Sequence, residues 1–262
     1  MCTKVHRIID AHIHLDQFSD KELPEFYNSM KRVNCSHVVA VGSDLASSGR
    51  ILDLSHKHDW VIPAAGFHPE QSIPSKEEVD KLCVWIVEHE ADIAAIGEIG
   101  LPTYLLRERQ DTNILPYIEL LERLLNLAKK LDKPVALHAV HAEADIVCDL
   151  LEKADIENAH FHWFKGSKAT MKRMMNRGYF ISLPPEIVYR QKIRDIAKLY
   201  PLNLMMAETD GPWPFDGPFK GIPTHPEMIH AIIESIAEIK GIYKKKVYEI
   251  IWKNTVDFYN LQ

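Results

Sequence analysis

Two histidines separated by one residue, His12 and His14 in IIDAHIHLD, close an apolar run near the start of the chain. Alternate residues of a strand face the same side, so both imidazoles can reach one ion. Four more apolar runs finish in side chains of the same kind: Glu98 in IGEIG, His138 in VALHA, His162 in FHWFKGS and Asp210 in AETDGP. Imidazole and carboxylate donors without a thiolate suit Zn, Mn, Mg, Co, Ni or Fe and do not choose among them. Six donors crowd a single ion, so two ions sharing a carboxylate use them more economically. Such a centre does hydrolysis: a bound water whose pKa falls from 15.7 toward about 7 becomes a nucleophile at neutral pH. Asp210 can accept its proton, and a second ion about 4 Å away neutralises charge growing on the scissile oxygens.

Donors this far apart in sequence need a fold that gathers them. Short β-branched or apolar runs at 7–14, 37–42, 61–67, 93–99, 134–138, 158–162, 179–183 and 202–208 alternate with stretches of helical periodicity, the pattern of parallel βα units. After Thr112 the apolar residues Ile114, Ile118, Leu121, Leu125 and Ala128 fall on one helix face. Segments 145–154, 168–177, 191–200 and 227–240 read alike, and an additional C-terminal helix covers about 244–259. Eight units predict an α/β fold of the (β/α)8, or TIM, barrel type, in which all strands end at one mouth and the ligands converge by topology. An open doubly wound sheet would carry a Gly-rich phosphate loop after its first strand, where this chain has HIHLDQF. Segment 211–226, with five prolines and three glycines, excludes helix and central strand and is expected to overhang the mouth.

The whole chain, 1–262, reads as a single domain, since 46% hydrophobic residues can bury one large core and no linker or repeat divides it. A formal charge of −6, from 31 Lys and Arg against 37 Asp and Glu, excludes a global positive field, so a nucleic-acid substrate requires a local basic patch. No signal-peptide core or membrane span is visible, and a cytoplasmic protein without a membrane partner is expected. Cys2, Cys35, Cys83 and Cys148 lack CxxC spacing and read as reduced, mostly buried thiols.

The motifs IIDAHIHLD, GFHPE, IGEIGL, PVALHA, HWFKGS and AETDGP, in this order over nearly the whole chain, resemble the TatD-like family of metal-dependent hydrolases. The resemblance implies that His12, His14, Glu98 and Asp210 hold one ion, and that Glu98, His138 and His162 hold a second, with Glu98 as the bridge. It implies that His68 stands beside the site near substrate phosphate, acting with Asp210 and Glu98 in catalysis. It also implies deoxyribonuclease activity on single strands, or action on other phosphodiesters. Lys165, Lys168, Arg107 and Arg109 lie just beyond strand ends and could supply the phosphate patch. The chain departs from the family where Gly100, Leu101 and Pro102 replace GLD, where Val140 replaces the arginine of HxR, and where Lys220 and Thr224, His225 and Pro226 replace an Arg and an Asn-Glu-Pro. The metal ligands are all kept while substrate-side residues are not, so hydrolysis is the firmer expectation and nuclease activity the finer one.

Blander roles compete for other residues. His160 faces the same side as His162, but His162 lies nearer the strand end and is preferred. Asp10 and Asp16 either orient the two histidines or cap a loop. Arg107 and Arg109 form a solvated cluster with Glu108 as readily as they bind phosphate. Lys244, Lys245 and Lys246 read as surface away from the mouth, and Trp213, Phe215 and Phe219 either stack bases or pack the long loop. Two further readings stand beside a phosphodiesterase acting on a small molecule or a single strand: hydrolysis of an amide, ester or lactone, and metal or nucleotide binding without turnover.

Overall fold

The computed structural model describes residues 6–109 and 111–261. Its eight strands, β1 (Ile8–Ile13), β2 (Cys35–Val41), β3 (Val61–Ala65), β4 (Ala95–Gly100), β5 (Val135–His138), β6 (Ala159–His162), β7 (Phe180–Leu183) and β8 (Met205–Ala207), lie side by side in sequence order. Every neighbouring pair is parallel. Asp210 N donates to His12 O (3.0 Å) and His14 N to Gly211 O (2.8 Å), which joins the end of β1 to the chain leaving β8. The result is the eight-stranded α/β barrel expected from the alternation of elements.

Helices α1 (Leu23–Arg32), α2 (Leu45–Lys57), α3 (Lys76–Glu88), α4 (Tyr104–Glu108), α5 (Leu115–Leu131), α6 (Glu143–Lys153), α7 (Lys168–Arg177), α8 (Gln191–Leu199), α9 (Met228–Lys240) and α10 (Lys244–Tyr259) connect and surround the strands. Their ends are set locally. Ser75 and Glu78 form a reciprocal capping box on α3, and Ser167 accepts from Thr170 N at the start of α7, whose far end is closed by Gly178 at φ 73°. On α5 the buried face is Tyr117, Leu121, Leu124, Leu125 and Ala128, whereas Ile114 and Ile118 are only partly buried. The stripe thus drifts round the helix as a 3.6-residue period requires. The short α4 was not expected from sequence, because its five residues bury none of their side chains fully and carry no apolar period.

β8 is shorter than the expected 202–208, since a 3-10 turn takes up Leu202–Leu204. Asn254 of α10 holds this corner, donating to Leu202 O (2.8 Å) and Met205 O (2.7 Å). Small strand residues, Ala11, Ala64, Ala95 and Ala136, pack with Val39, Val41, Met206 and the ring of Tyr259 at the end of α10. Cys35 and Cys148 are buried and Cys83 is partly so, all unpaired; Cys2 lies outside the described residues. Among the described residues no helix is long and apolar enough to cross a membrane.

Candidate metal centre

All six expected donors meet at the C-terminal rim of the barrel, and Glu98 stands between two groups of them. Its Oε2 lies 3.2 Å from His12 Nε2 and 3.3 Å from His14 Nε2, and those nitrogens are 3.4 and 3.5 Å from Asp210 Oδ1. Its Oε1 lies 2.8 Å from His138 Nδ1 and 2.9 Å from His162 Nε2, which are 3.1 Å from each other. His138 and His162 are level because β5 and β6 pair in that register. Backbone approach matters as well: a Cβ on Gly66 would come within 2.5 Å of the Glu98 carbonyl oxygen.

His12 Nε2, Glu98 Oε2 and Asp210 Oδ1 are buried and make no hydrogen bond although they face one another. Buried polar atoms left so are costly, and this arrangement calls for a shared cation. Donors about 2.1 Å from a common ion stand roughly 3.0–3.4 Å apart in octahedral or tetrahedral geometry, close to the spacings seen here. The donor set therefore fits divalent metal, with a carboxylate oxygen available to each of two positions.

The electrostatics agree. Burial alone would raise the pKa of Glu98, yet the imidazoles of His162, His68 and His12 carry it well below the ordinary carboxylate range. Burial likewise opposes ionisation of Asp210, and close contact with His14 and the charge of His162 prevail, so it too is lowered. Burial disfavours a charged His14, but contact with Asp210 and Glu98 lifts its pKa to about 10. Two buried carboxylates thus draw positive charge into this space.

His68 stands 3.7 Å from Glu98 Oε1, and burial pushes its pKa down to about 3. Its Nδ1 accepts from Glu70 N (3.3 Å), which leaves Nε2 protonated and turned toward the centre as a hydrogen-bond donor. Asp10 does not orient an imidazole. It accepts from the backbone N of His12 (3.3 Å) and of Thr209 (2.9 Å) and from the Thr209 hydroxyl, tying β1 to the segment after β8, and burial pushes its pKa up to about 7. Asp16 lies in a 3-10 turn, where its backbone carbonyl accepts from Arg50.

His160 is a core residue. Tyr259 Oη donates to its Nδ1 (2.7 Å), its Nε2 donates to Ser182 Oγ (2.6 Å), and Ser182 donates to Glu208 Oε2 (2.5 Å). Burial holds His160 neutral, well below the usual imidazole pKa. Glu208 also accepts from Trp163 N (2.8 Å) and lies 3.7 Å from His162 Nδ1. Neither Glu208 nor Glu70 was singled out from sequence, although both fall inside motifs that were. Glu208 precedes Asp210 by two residues, the spacing that drew attention to His12 and His14. Glu70 likewise follows His68 by two residues, although its own partners lie 33 to 68 residues away and leave no mark in the sequence.

A cavity of about 600 Å³ opens onto this centre. Pro212, Trp213 and Pro214 line one wall, so segment 211–226 does overhang the mouth, and Tyr104, Leu105 and Val140 line another part. Trp213 is 57% exposed and meets Trp163 edge to face, while Phe215 is buried against Trp163 and Phe219 is partly buried, so of these three Trp213 is the one that lines the cavity. Trp163 and Asp210 both hold positive φ, 43° and 51°. For a bulky indole that is a strained position of the kind found at functional sites. Lys165 is engaged: its Nζ lies 3.1 Å from Glu186 and 4.1 Å from the centre of the Trp163 ring. Arg107 and Arg109 are exposed and do not line the cavity. The charges of Arg107, Lys192 and Lys165 nevertheless act on His141, which burial and these cations bring down to about 4, and His141 meets Tyr104 of the wall edge to face at 6.2 Å.

The profile described as "TatD related DNase" matches residues 9–260. The chain belongs to this family of metal-dependent hydrolases. Within the TatD-related proteins it is 41% identical over 256 residues to an uncharacterized metal-dependent hydrolase of Haemophilus influenzae, covering 97% of this chain and 100% of the other. It is 29% identical over 264 residues to human Deoxyribonuclease TATDN3, covering 96% and 94%. The crystal structure of YJJV, a TatD homolog from Escherichia coli K12, superposes with a TM-score of 0.88 at 26% identity, covering 98% of this chain and 100% of that one.

Proposed function

We propose that this TatD-family hydrolase cleaves phosphodiester bonds, with the end of a single-stranded DNA as its substrate class. In this reading His12, His14, Glu98 and Asp210 hold one divalent ion, and Glu98, His138 and His162 hold another. The observation that carries it is the division of Glu98, one oxygen to each group of donors at ion-sharing distances. When bound, the ions activate a water as nucleophile and neutralise charge on the scissile oxygens. The Asp210 carboxylate accepts the proton of the attacking water, and His68 Nε2–H donates to a substrate oxygen. Trp213 offers a face for a terminal base, and Arg107 and Lys192, whose charges act on His141, are the cations for the next phosphate. The name of the human relative, a deoxyribonuclease, agrees with this substrate class.

A second reading is hydrolysis of an amide, ester or lactone. It is favoured by Val140 in the wall and by a cavity lining that, among the described residues, contains no Lys or Arg. Metal analysis of the purified protein followed by turnover assays with Mn, Zn, Co or Mg separates the two. Release of nucleotides from single-stranded DNA is expected; turnover of carboxylic esters or amides alone would overturn the phosphodiester reading, and no turnover by the metal-loaded protein would leave a binding protein.

A further inference from the structure

Glu70 sits in the loop after β3, half-buried, and its carboxylate is fully engaged. Oε1 accepts from Thr103 N (2.6 Å) and Tyr104 N (2.8 Å) and lies 3.1 Å from His138 Nε2, while Oε2 accepts from Leu105 N (2.7 Å). The opposite nitrogen of the same imidazole, His138 Nδ1, faces Glu98 and His162. An ionised carboxylate only accepts, so Glu70 keeps a proton on His138 Nε2, and once an ion takes the place between Nδ1 and Glu98 the Nδ1 lone pair is the one left to bind it. We propose that Glu70 is a positioning residue that locks His138 in its ligating tautomer and, through the same carboxylate, fixes the Thr103–Leu105 backbone that brings Tyr104 and Leu105 into the cavity wall.

This rests on the assignment of His138 to the second ion. A carboxylate that receives the outer N–H of a ligating histidine sets both ring orientation and basicity, and its loss costs about 10- to 100-fold in metal affinity. Glu70 differs from a simple orienting carboxylate in what else it holds. The three backbone donors and the imidazole converge on two oxygens, so ion binding and the shape of the wall are coupled through one side chain. Glutamine cannot replace it in either orientation. With its oxygen toward Thr103, Tyr104 and His138, the amide NH2 meets the Leu105 N–H; turned over, the NH2 faces His138 Nε2 and favours the tautomer whose proton occupies Nδ1.

The test is titration of the metal-free protein with Mn2+ by calorimetry, for wild type, Glu70→Gln and Glu70→Ala, with long-range proton–nitrogen spectra of the imidazoles before metal is added. One Mn2+ step is expected to weaken about 10- to 100-fold while the step on the His12, His14 and Asp210 side keeps its wild-type affinity. In a His138→Ala background, Glu70→Gln should add nothing. The spectra should show His138 protonated at Nε2 in wild type and moving toward the Nδ1–H form in Glu70→Ala, which has no acceptor for Nε2–H. Glu70→Ala strips the acceptor from three backbone donors, so Glu70→Gln decides if that variant unfolds early. Equal weakening of both Mn2+ steps in Glu70→Gln, or an unchanged His138 tautomer in a folded Glu70→Ala, would overturn the proposal. Absence of any Mn2+ binding by wild type would instead refute the two-ion reading, with the tautomer still judging Glu70.

Discussion

Replacing Glu98 by glutamine puts an amide where both oxygens face imidazole nitrogens, and one of its two positions turns from acceptor to donor. Activity of Glu98→Gln is expected to fall by at least about 10³-fold, with fewer ions retained per chain. Unfolding of the metal-free protein should occur below the wild-type temperature, since the imidazoles that hold the Glu98 pKa down lose the charge they face. Elemental analysis, turnover and thermal melting on one preparation check this, and a fully active variant would contradict the bridging role. His68 acts differently: it sits 3.7 Å from Glu98 as a neutral donor. His68→Ala should keep its full metal content while kcat drops by roughly 10²-fold. Loss of metal from that variant would make His68 a ligand instead.

At the scale of elements, the C-terminal helix meets the buried His160 of β6 with the phenol of Tyr259. Tyr259→Phe leaves His160 Nδ1 without its donor in a fully buried position. A loss of about 1–3 kcal/mol in urea unfolding is expected, with metal binding little changed. On the outside, Glu152 of α6 is held by Arg173 and Arg177 of α7, and those hydrogen bonds bring its pKa down to about 2. A depressed folded-state pKa stabilises above the unfolded value of about 4.3 and loses that contribution as pH falls through about 2. Glu152→Gln should therefore lie below wild type in stability at pH 6 and converge with it near pH 2, by a small amount at so solvated a site.

The strands and long helices were legible because hydrophobic period encodes them, and the six donors because each ends an apolar run. The supporting residues were not. Glu70, Ser182 and Glu208 matter through partners that only strand register and loop path bring near, and α4 is held by a carboxylate from another loop rather than by its own pattern. Lys165 looked free in sequence and is tied to Glu186, a residue of the turn after β7.

For the molecule as a whole, a net charge of −6 works against a polyanion, so a single strand depends on local cations such as those acting on His141. Two to three phosphate contacts are the most this cluster provides. Single-strand affinity should then fall with salt at a log–log slope of about −1.4 to −2.1, taking roughly −0.7 per contact. Fluorescence titrations at three salt concentrations measure it, and a slope near −6 would reveal a far more extensive track.

The seam between the first and last strands has a temporal meaning. Asp210 reaches its place by donating to the His12 carbonyl, nearly two hundred residues away. A growing chain therefore owns its earliest imidazoles long before it owns their companion acid. In refolding with Co2+ as reporter, the colour of the complete site should develop only in the global phase, making ion capture a clock for the moment the ring shuts.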